Sequence, residues 1–112
     1  MGEMAQPDSI LGLAQIRASR GISIQQIADS TKISVRSLRA IEAGEFKKLP
    51  GGIYNISYIR QYCRAIDFDE AVLLGYYYRA TGDAPAQSSE RAEAALDNYL
   101  RNVRPTPFPS RS

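Results

Sequence analysis

Apolar residues recur at intervals of three and four positions through most of the chain, the spacing that places them on one face of an α-helix. Glycines and capping side chains interrupt this pattern at short intervals, and they are typical signals for the end and the start of a helix. The pattern therefore predicts an all-α fold. Six helices are expected, at about residues 10–20, 24–30, 35–43, 53–66, 70–80 and 89–103.

Capping sequences fix the starts of the second and third helices. Ser23 and Gln26 form a predicted capping box, in which the hydroxyl and the amide each satisfy a backbone N–H group of the first turn. Ser34 is expected to cap the third helix. Only residues 31–33 then remain to connect the two helices, which is too short for anything but a tight turn.

The chain divides by composition into four parts. Residues 1–82 are expected to form one domain that contains the first five helices, and residues 83–88 a linker. Residues 89–103 form an additional C-terminal amphipathic helix, and three prolines in residues 104–112 favour a disordered tail. Because a helix of about 15 residues is marginal alone in water, the sixth helix is expected either to dock on the bundle or to pair with a second copy in a homodimer.

The second and third helices, with their short connection, have the arrangement of a helix-turn-helix motif, whose second helix enters the major groove of DNA. Leu38 and Ile41 are expected to face inward, which leaves Arg36, Ser37, Arg39 and Ala40 facing solvent. Positions 17 to 39 contain five basic residues and one acidic residue, although the whole chain of 112 residues carries a net charge of only +2. The predicted partner is double-stranded DNA. The residues expected to contact it are Arg36, Ser37, Arg39, Arg20, Lys32 and Ser34.

The composition argues against an enzyme. The chain has no His and a single Cys, which excludes a disulfide within the chain, His-based metal sites and His-dependent catalytic triads. Cys63 shares a face with buried isoleucines, so it is interpreted as a core residue rather than a nucleophile. No catalytic residue, metal site or cofactor is predicted. Because no run of residues is long and apolar enough to cross a membrane, a cytoplasmic location is expected.

Tyrosines lie along one side of the fourth helix, four positions apart. Tyr62 is expected in the core, together with the isoleucines from Ile53 onward that share its helix. For Tyr54 and Tyr58 two interpretations remain open. Such a stripe is more often buried, but two exposed rings would form a patch of the kind that anchors protein interfaces.

The sequence resembles a known family over about residues 10 to 77. The segments that carry the resemblance are Leu13–Arg17, Arg20–Ser23, Ile27-Ala28, Thr31–Ile33 and Ile41–Gly44 in the first half, and Phe46, Leu49–Gly51, Ile53-Tyr54, Tyr58–Arg60 and Tyr62-Cys63 in the second half. The first half is similar to the phage-repressor-like helix-turn-helix superfamily, and the second half narrows the resemblance to the cytoplasmic helix-turn-helix domain at the N-terminus of RodZ-like proteins.

The resemblance implies a five-helix bundle and, for the RodZ branch, binding of the actin-like protein MreB through the fourth helix. The aromatic positions implicated in that contact fall on Tyr54 and Tyr58. Two functions therefore follow from the sequence. The first is a bacterial transcription regulator that reads DNA through the third helix, and the alternative is a cytoskeletal adaptor that binds MreB.

Overall fold

A computed structural model describes residues 9–82 and 88–102. These residues form six α-helices and two single turns of 3-10 helix, at Ile10–Gly12 and Phe46–Lys48, and none of them lies in a β-strand. The expected all-α fold, with a helix-turn-helix and an additional C-terminal helix, is confirmed. The helices are α1 (Leu13–Ser19), α2 (Ile24–Thr31), α3 (Val35–Ala43), α4 (Ile53–Ile66), α5 (Glu70–Thr81) and α6 (Ser88–Asn102).

The helix bounds agree closely with the periodicity. The predicted and observed bounds of α3 and α4 coincide, as do the starts of α2 and α5, and the ends of α1, α2 and α5 and the start of α6 differ by one residue. The start of α1 differs by three residues because a 3-10 turn comes first, and Val103, the predicted end of the sixth helix, lies outside the described residues. Ser88, which the sequence placed in the linker, is the first residue of α6. Residues 83–87, the rest of that linker, and the tail 104–112 lie outside the described residues. The chain divides into two compact units between Glu70 and Ala71.

The core of the first unit is built from the apolar faces of α1 to α4. Leu38 and Ile41 are fully buried, as the periodicity predicts, and so are Tyr62 and Cys63. Burial raises the pKa of the Cys63 thiol, so the side chain stays neutral, in keeping with its interpretation as a core residue. Leu13 of α1 and Ile27 of α2 complete the contact between the helices.

Two positions differ from the sequence prediction. Ala40, expected to face solvent, is buried, because the buried face of α3 includes Ala40 and Glu42 as well as Leu38 and Ile41 and is therefore wider than the apolar spacing predicts. Ile53, expected in the core, is 80% exposed. Six residues separate it from the buried Ile59, and at 3.6 residues per turn that spacing rotates it by about 120° away from the buried face.

A buried polar network joins α1, α3 and α4 through the carboxylate of Glu42. Arg17 donates from Nε to Glu42 Oε2 at 2.6 Å and from Nη2 to Oε1 at 3.3 Å, while the Tyr62 hydroxyl donates to the same Oε2 at 2.5 Å. The hydrogen bond to Glu42 raises the pKa of Arg17, and burial together with the Glu42 hydrogen bond raises the pKa of Tyr62. Both donors therefore keep their protons at neutral pH.

The second unit contains a close approach of α5 and α6. A Cβ atom placed on Gly75 of α5 would overlap the main-chain carbonyl of Ala92 and would lie 3.0 Å from the Cβ of Leu96. Ala92 and Leu96 are buried, and Arg79 bonds Asp97 at 3.0 Å on the exposed side of the same contact. The helix α6 therefore packs on α5 of its own chain, through a glycine that leaves room for its backbone.

Replacing Glu42 should destabilise the first unit strongly. In Glu42→Ala, Arg17 and Tyr62 would keep their partly or fully buried polar atoms without the carboxylate, so we expect a loss of about 3–5 kcal/mol in the free energy of unfolding. Urea denaturation followed by circular dichroism measures it. The matched control is Glu45→Ala, which removes an exposed carboxylate that pairs with Lys48 and should cost about 0–1 kcal/mol. Equal losses in the two variants would contradict a stabilising role for the network.

Enlarging Ala92 should disturb the second unit. Ala92→Leu adds volume where α6 contacts Gly75, and we expect it to cost about 1–3 kcal/mol. The control is Ala94→Leu, which adds the same volume at an exposed position of the same helix and should change stability by less than about 0.5 kcal/mol. Hydrogen exchange of the α6 amides measures both effects. Undiminished protection in Ala92→Leu would show that α6 does not pack as described.

Candidate nucleic-acid interface

The helix α2 begins at the capping box that the sequence predicts. Ser23 Oγ accepts from the Gln26 N–H group at 3.0 Å, and the Gln26 side-chain oxygen accepts from the Ser23 N–H group at 2.7 Å. Two backbone donors of the first turn are thereby satisfied. The capping box fixes the point at which the chain enters the motif.

The turn between α2 and α3 is held by both backbone and side chains. Thr31 Oγ1 donates to the Ile27 carbonyl at 2.7 Å and accepts from the Ile33 N–H group at 3.2 Å, and Ile33 is buried. Lys32 adopts a left-handed conformation with φ of 65°, which is strained for a residue with a side chain. Its side chain is exposed, so the turn presents a cation to solvent.

The exposed side of α3 carries two arginines. Arg36 and Arg39 are both exposed, and neither forms an ion pair or hydrogen bond within residues 9–82 and 88–102. Arg17, by contrast, forms an ion pair with Glu42. The guanidinium groups of Arg36 and Arg39 are therefore the part of the predicted site that is available to bind an anion or a base edge.

Ser34 and Ser37 form the N-terminal cap of α3. Ser34 Oγ accepts from the Ser37 N–H group at 3.1 Å and donates to Ser37 Oγ at the same distance. In this arrangement the Ser37 hydroxyl can still donate to an external acceptor, whereas the Ser34 hydroxyl already donates and accepts within the cap. The prediction that Ser34 caps this helix is confirmed.

Arg20 occupies a different place from the α3 arginines. Its Nη1 atom donates to the carbonyl oxygens of Ile66 and Asp67, the latter at 2.7 Å, where α4 ends. These carbonyls have no partner within the helix, and a cation is favourable at a helix C-terminus. The sequence did not indicate this contact, because 46 residues separate Arg20 from Ile66.

The two tyrosines assigned to a possible protein interface lie together on α4. Their ring centroids are 6.4 Å apart, with an angle of 59° between the ring planes. Tyr54 is 59% exposed and Tyr58 is half-buried. Of the two interpretations that the sequence left open, partial exposure is the one that the structure supports.

Comparison with known proteins identifies the family of this fold. A family model described as "Helix-turn-helix domain" matches residues 12–73, which is more than half of the chain. The chain belongs to this helix-turn-helix family. It is also 32% identical, over 68 residues, to the cytoskeleton protein RodZ of Streptococcus pneumoniae, an alignment that covers 61% of this chain and 24% of that relative. The chain therefore spans about a quarter of the length of the curated relative that it matches. No solved structure is a significant match.

The helix-turn-helix domain contains exposed residues that the sequence analysis did not assign to a site. Lys47 lies in the 3-10 turn that contacts α3 and is exposed, and its neighbour Lys48 pairs with Glu45 at 3.0 Å. Their signal in the sequence is a pair of consecutive lysines shortly after the third helix. Lys47 is therefore a further exposed cation of the domain, shortly after α3 in the chain.

No group of three or more His, Cys, Asp or Glu side chains within residues 9–82 and 88–102 is placed to hold a metal ion. No helix in the same ranges is long and apolar enough to cross a membrane.

Proposed function

We propose that this helix-turn-helix protein is a bacterial transcription regulator that binds double-stranded DNA through α3. The observation that supports the proposal best is the pair of exposed arginines, Arg36 and Arg39, on the second helix of the motif, which form no ion pair or hydrogen bond with residues 9–82 and 88–102. In this function the chain acts by binding and performs no catalytic step, and its place of action is the cytoplasm.

Each cation of the motif has a role that its position suggests. The fork of an arginine side chain matches the two acceptors of guanine in the major groove, so Arg36 and Arg39 would read bases. Lys32 in the turn and Lys47 after α3 are single charges suited to phosphates. The Ser37 hydroxyl, which can still donate, would contact a phosphate or a base edge.

Ser34 and Arg20 have smaller parts in this proposal than in the sequence prediction. The Ser34 hydroxyl caps α3 and fixes its first turn, so it acts on the orientation of Arg36 rather than on DNA. Arg20 is bound to the end of α4, where its charge contributes to the general attraction of the domain for the phosphate backbone.

DNA binding should depend on the two α3 arginines. Duplexes of 30 base pairs would be selected from a random library by the wild-type protein, and dissociation constants would be measured by fluorescence anisotropy at several salt concentrations. We expect Arg36→Ala/Arg39→Ala to lose about 1–3 kcal/mol of binding free energy per base contact. Its affinity should also fall less steeply with salt.

The control removes the same charge from another helix. Arg91→Ala/Arg101→Ala takes two exposed arginines from α6 and should leave the affinity for the selected duplex nearly unchanged. If the two double variants bind equally well, or if the wild-type protein enriches no duplex, α3 does not read DNA.

A second function is favoured by the tyrosine pair. Tyr54 projects into solvent beside Tyr58, and the curated relative is named as a cytoskeleton protein. Exposed aromatic rings are typical anchors of protein interfaces. The candidate partner is the actin-like protein MreB, which the RodZ-like resemblance implies. This adaptor function uses α4, so it is separable from DNA binding by α3.

Filament binding should depend on the two rings. In co-sedimentation with MreB filaments, we expect Tyr54→Ala/Tyr58→Ala to lose about 2 kcal/mol or more of binding free energy. Tyr54→Phe/Tyr58→Phe keeps the rings and should retain most of the binding. The Arg36→Ala/Arg39→Ala protein serves as a second control, because it should pellet with filaments like the wild type. Equal pelleting of the alanine and phenylalanine variants would exclude the tyrosine pair as the contact.

A further inference from the structure

A second exposed surface lies on α4, on the flank that does not carry the tyrosines. A shallow groove of about 480 Å³ is lined by Ile53, Ile56, Ser57, Arg60, Gln61 and Arg64, and we call it the α4 groove. Ile53, at its N-terminal end, is 80% exposed. An isoleucine with so much of its surface in water favours a contact that covers it.

The α4 groove changes from apolar to basic along the helix. Arg60 and Arg64 share one carboxylate, with Nε to Glu70 oxygen distances of 3.7 and 2.8 Å. One positive charge therefore remains at this end of the groove. The side chains of Arg60 and Arg64 are 51% and 68% exposed, so both ion pairs are weak and open to exchange with another carboxylate.

A complementary surface lies on α6. Glu90, Glu93, Asp97 and Leu100 follow one another at intervals of three and four, which places them on one side of the helix, and all four are exposed. We call these residues the α6 acidic flank. Asp97 pairs with Arg79, whereas Glu90 and Glu93 form no ion pair with any residue that the structure describes. Leu100 is 45% exposed.

The order of residues matches when the two helices are antiparallel. Along α4 the isoleucines come first and the arginines follow, whereas along α6 the acidic residues come first and Leu100 comes last. An antiparallel pairing therefore brings Leu100 to Ile53 and Ile56, and the acidic side chains to Arg60 and Arg64. A parallel pairing would set an acidic residue against isoleucine and Leu100 against arginine.

The spacings along the two helices also agree. With a rise of about 1.5 Å per residue, Arg60 and Arg64 lie about 6 and 12 Å beyond Ile56. On α6, Asp97 and Glu93 lie about 4.5 and 10.5 Å before Leu100 by the same rise. The axial distances from the apolar position to the two charged positions therefore agree between the two helices to within the rise of about one residue.

We propose that the α4 groove of one chain binds the α6 acidic flank of a second copy of this chain, so that the protein forms a dimer. Every copy carries both surfaces, so a dimer that closes about a twofold axis would contain this contact twice. The packing of Ala92 and Leu96 on α5 uses a different side of α6 and is kept in the dimer. The proposal is independent of whether α3 binds DNA.

Charge reversal on each surface tests the dimer with the full chain. The groove variant is Arg60→Glu/Arg64→Glu, and the flank variant is Glu90→Lys/Glu93→Lys. In sedimentation equilibrium at up to about 100 µM protein, the wild type should show a monomer–dimer equilibrium. Either variant alone should raise the dissociation constant at least about tenfold, because like charges then face each other.

Mixing the two variants supplies the decisive result. In a mixed dimer both contacts again join opposite charges, so an equimolar mixture should dimerise about as well as the wild type. The control Arg36→Glu/Arg39→Glu makes the same charge change on α3 and should dimerise normally. Circular dichroism of every variant verifies that the helices are intact.

Three outcomes would overturn the proposal. If the wild-type protein stays monomeric at every concentration, a second copy does not bind the α4 groove. If the mixture stays monomeric but the chain that carries all four substitutions dimerises like the wild type, the two surfaces pair within one chain instead. If neither variant changes the dissociation constant, the dimer forms elsewhere.

Discussion

One buried carboxylate sets the geometry of the helix-turn-helix unit. Glu42 lies on α3, and it accepts hydrogen bonds from Arg17 on α1 and Tyr62 on α4. A buried carboxylate is costly unless it is fully paired, so the position of Glu42 fixes α3 in rotation as well as in translation. That rotation decides which side chains of α3 face solvent. The exposure of Arg36 and Arg39 thus depends on the hydrogen bonds of Glu42, in which neither arginine takes part.

Much of this unit follows from local sequence rules. The bounds of α3 and α4, the Ser23–Gln26 capping box and the burial of Leu38 and Ile41 depend on residues within a few positions of one another, and the structure has all of them. Such features can be predicted from the sequence because helix phase and capping chemistry are properties of short segments.

The remaining features depend on contacts between distant segments. Arg17 adds to the positive charge of residues 17–39, but its charge is balanced by Glu42, which lies outside that window. Arg20 is bound to carbonyls at the end of α4, and Ala40 is buried although the spacing of Leu38 and Ile41 places it toward solvent. No periodicity encodes these contacts, so a count of charges overstated the basic surface and a helical wheel misplaced one alanine. The exposure of Arg36 and Arg39 was predicted correctly, because neither side chain forms an ion pair or hydrogen bond with a distant residue of the part of the chain that the structure describes.

The connections in the first unit also have a consequence for how it assembles. Three residues join α2 to α3, and the two partners of Glu42 are 25 and 20 positions away along the chain. All-helical domains have low contact order and fold in microseconds to milliseconds, because most of their contacts are made within single helices. The unit can therefore complete its fold before it meets any partner. Its surfaces are preformed, and complex formation carries no cost of ordering the backbone that bears them.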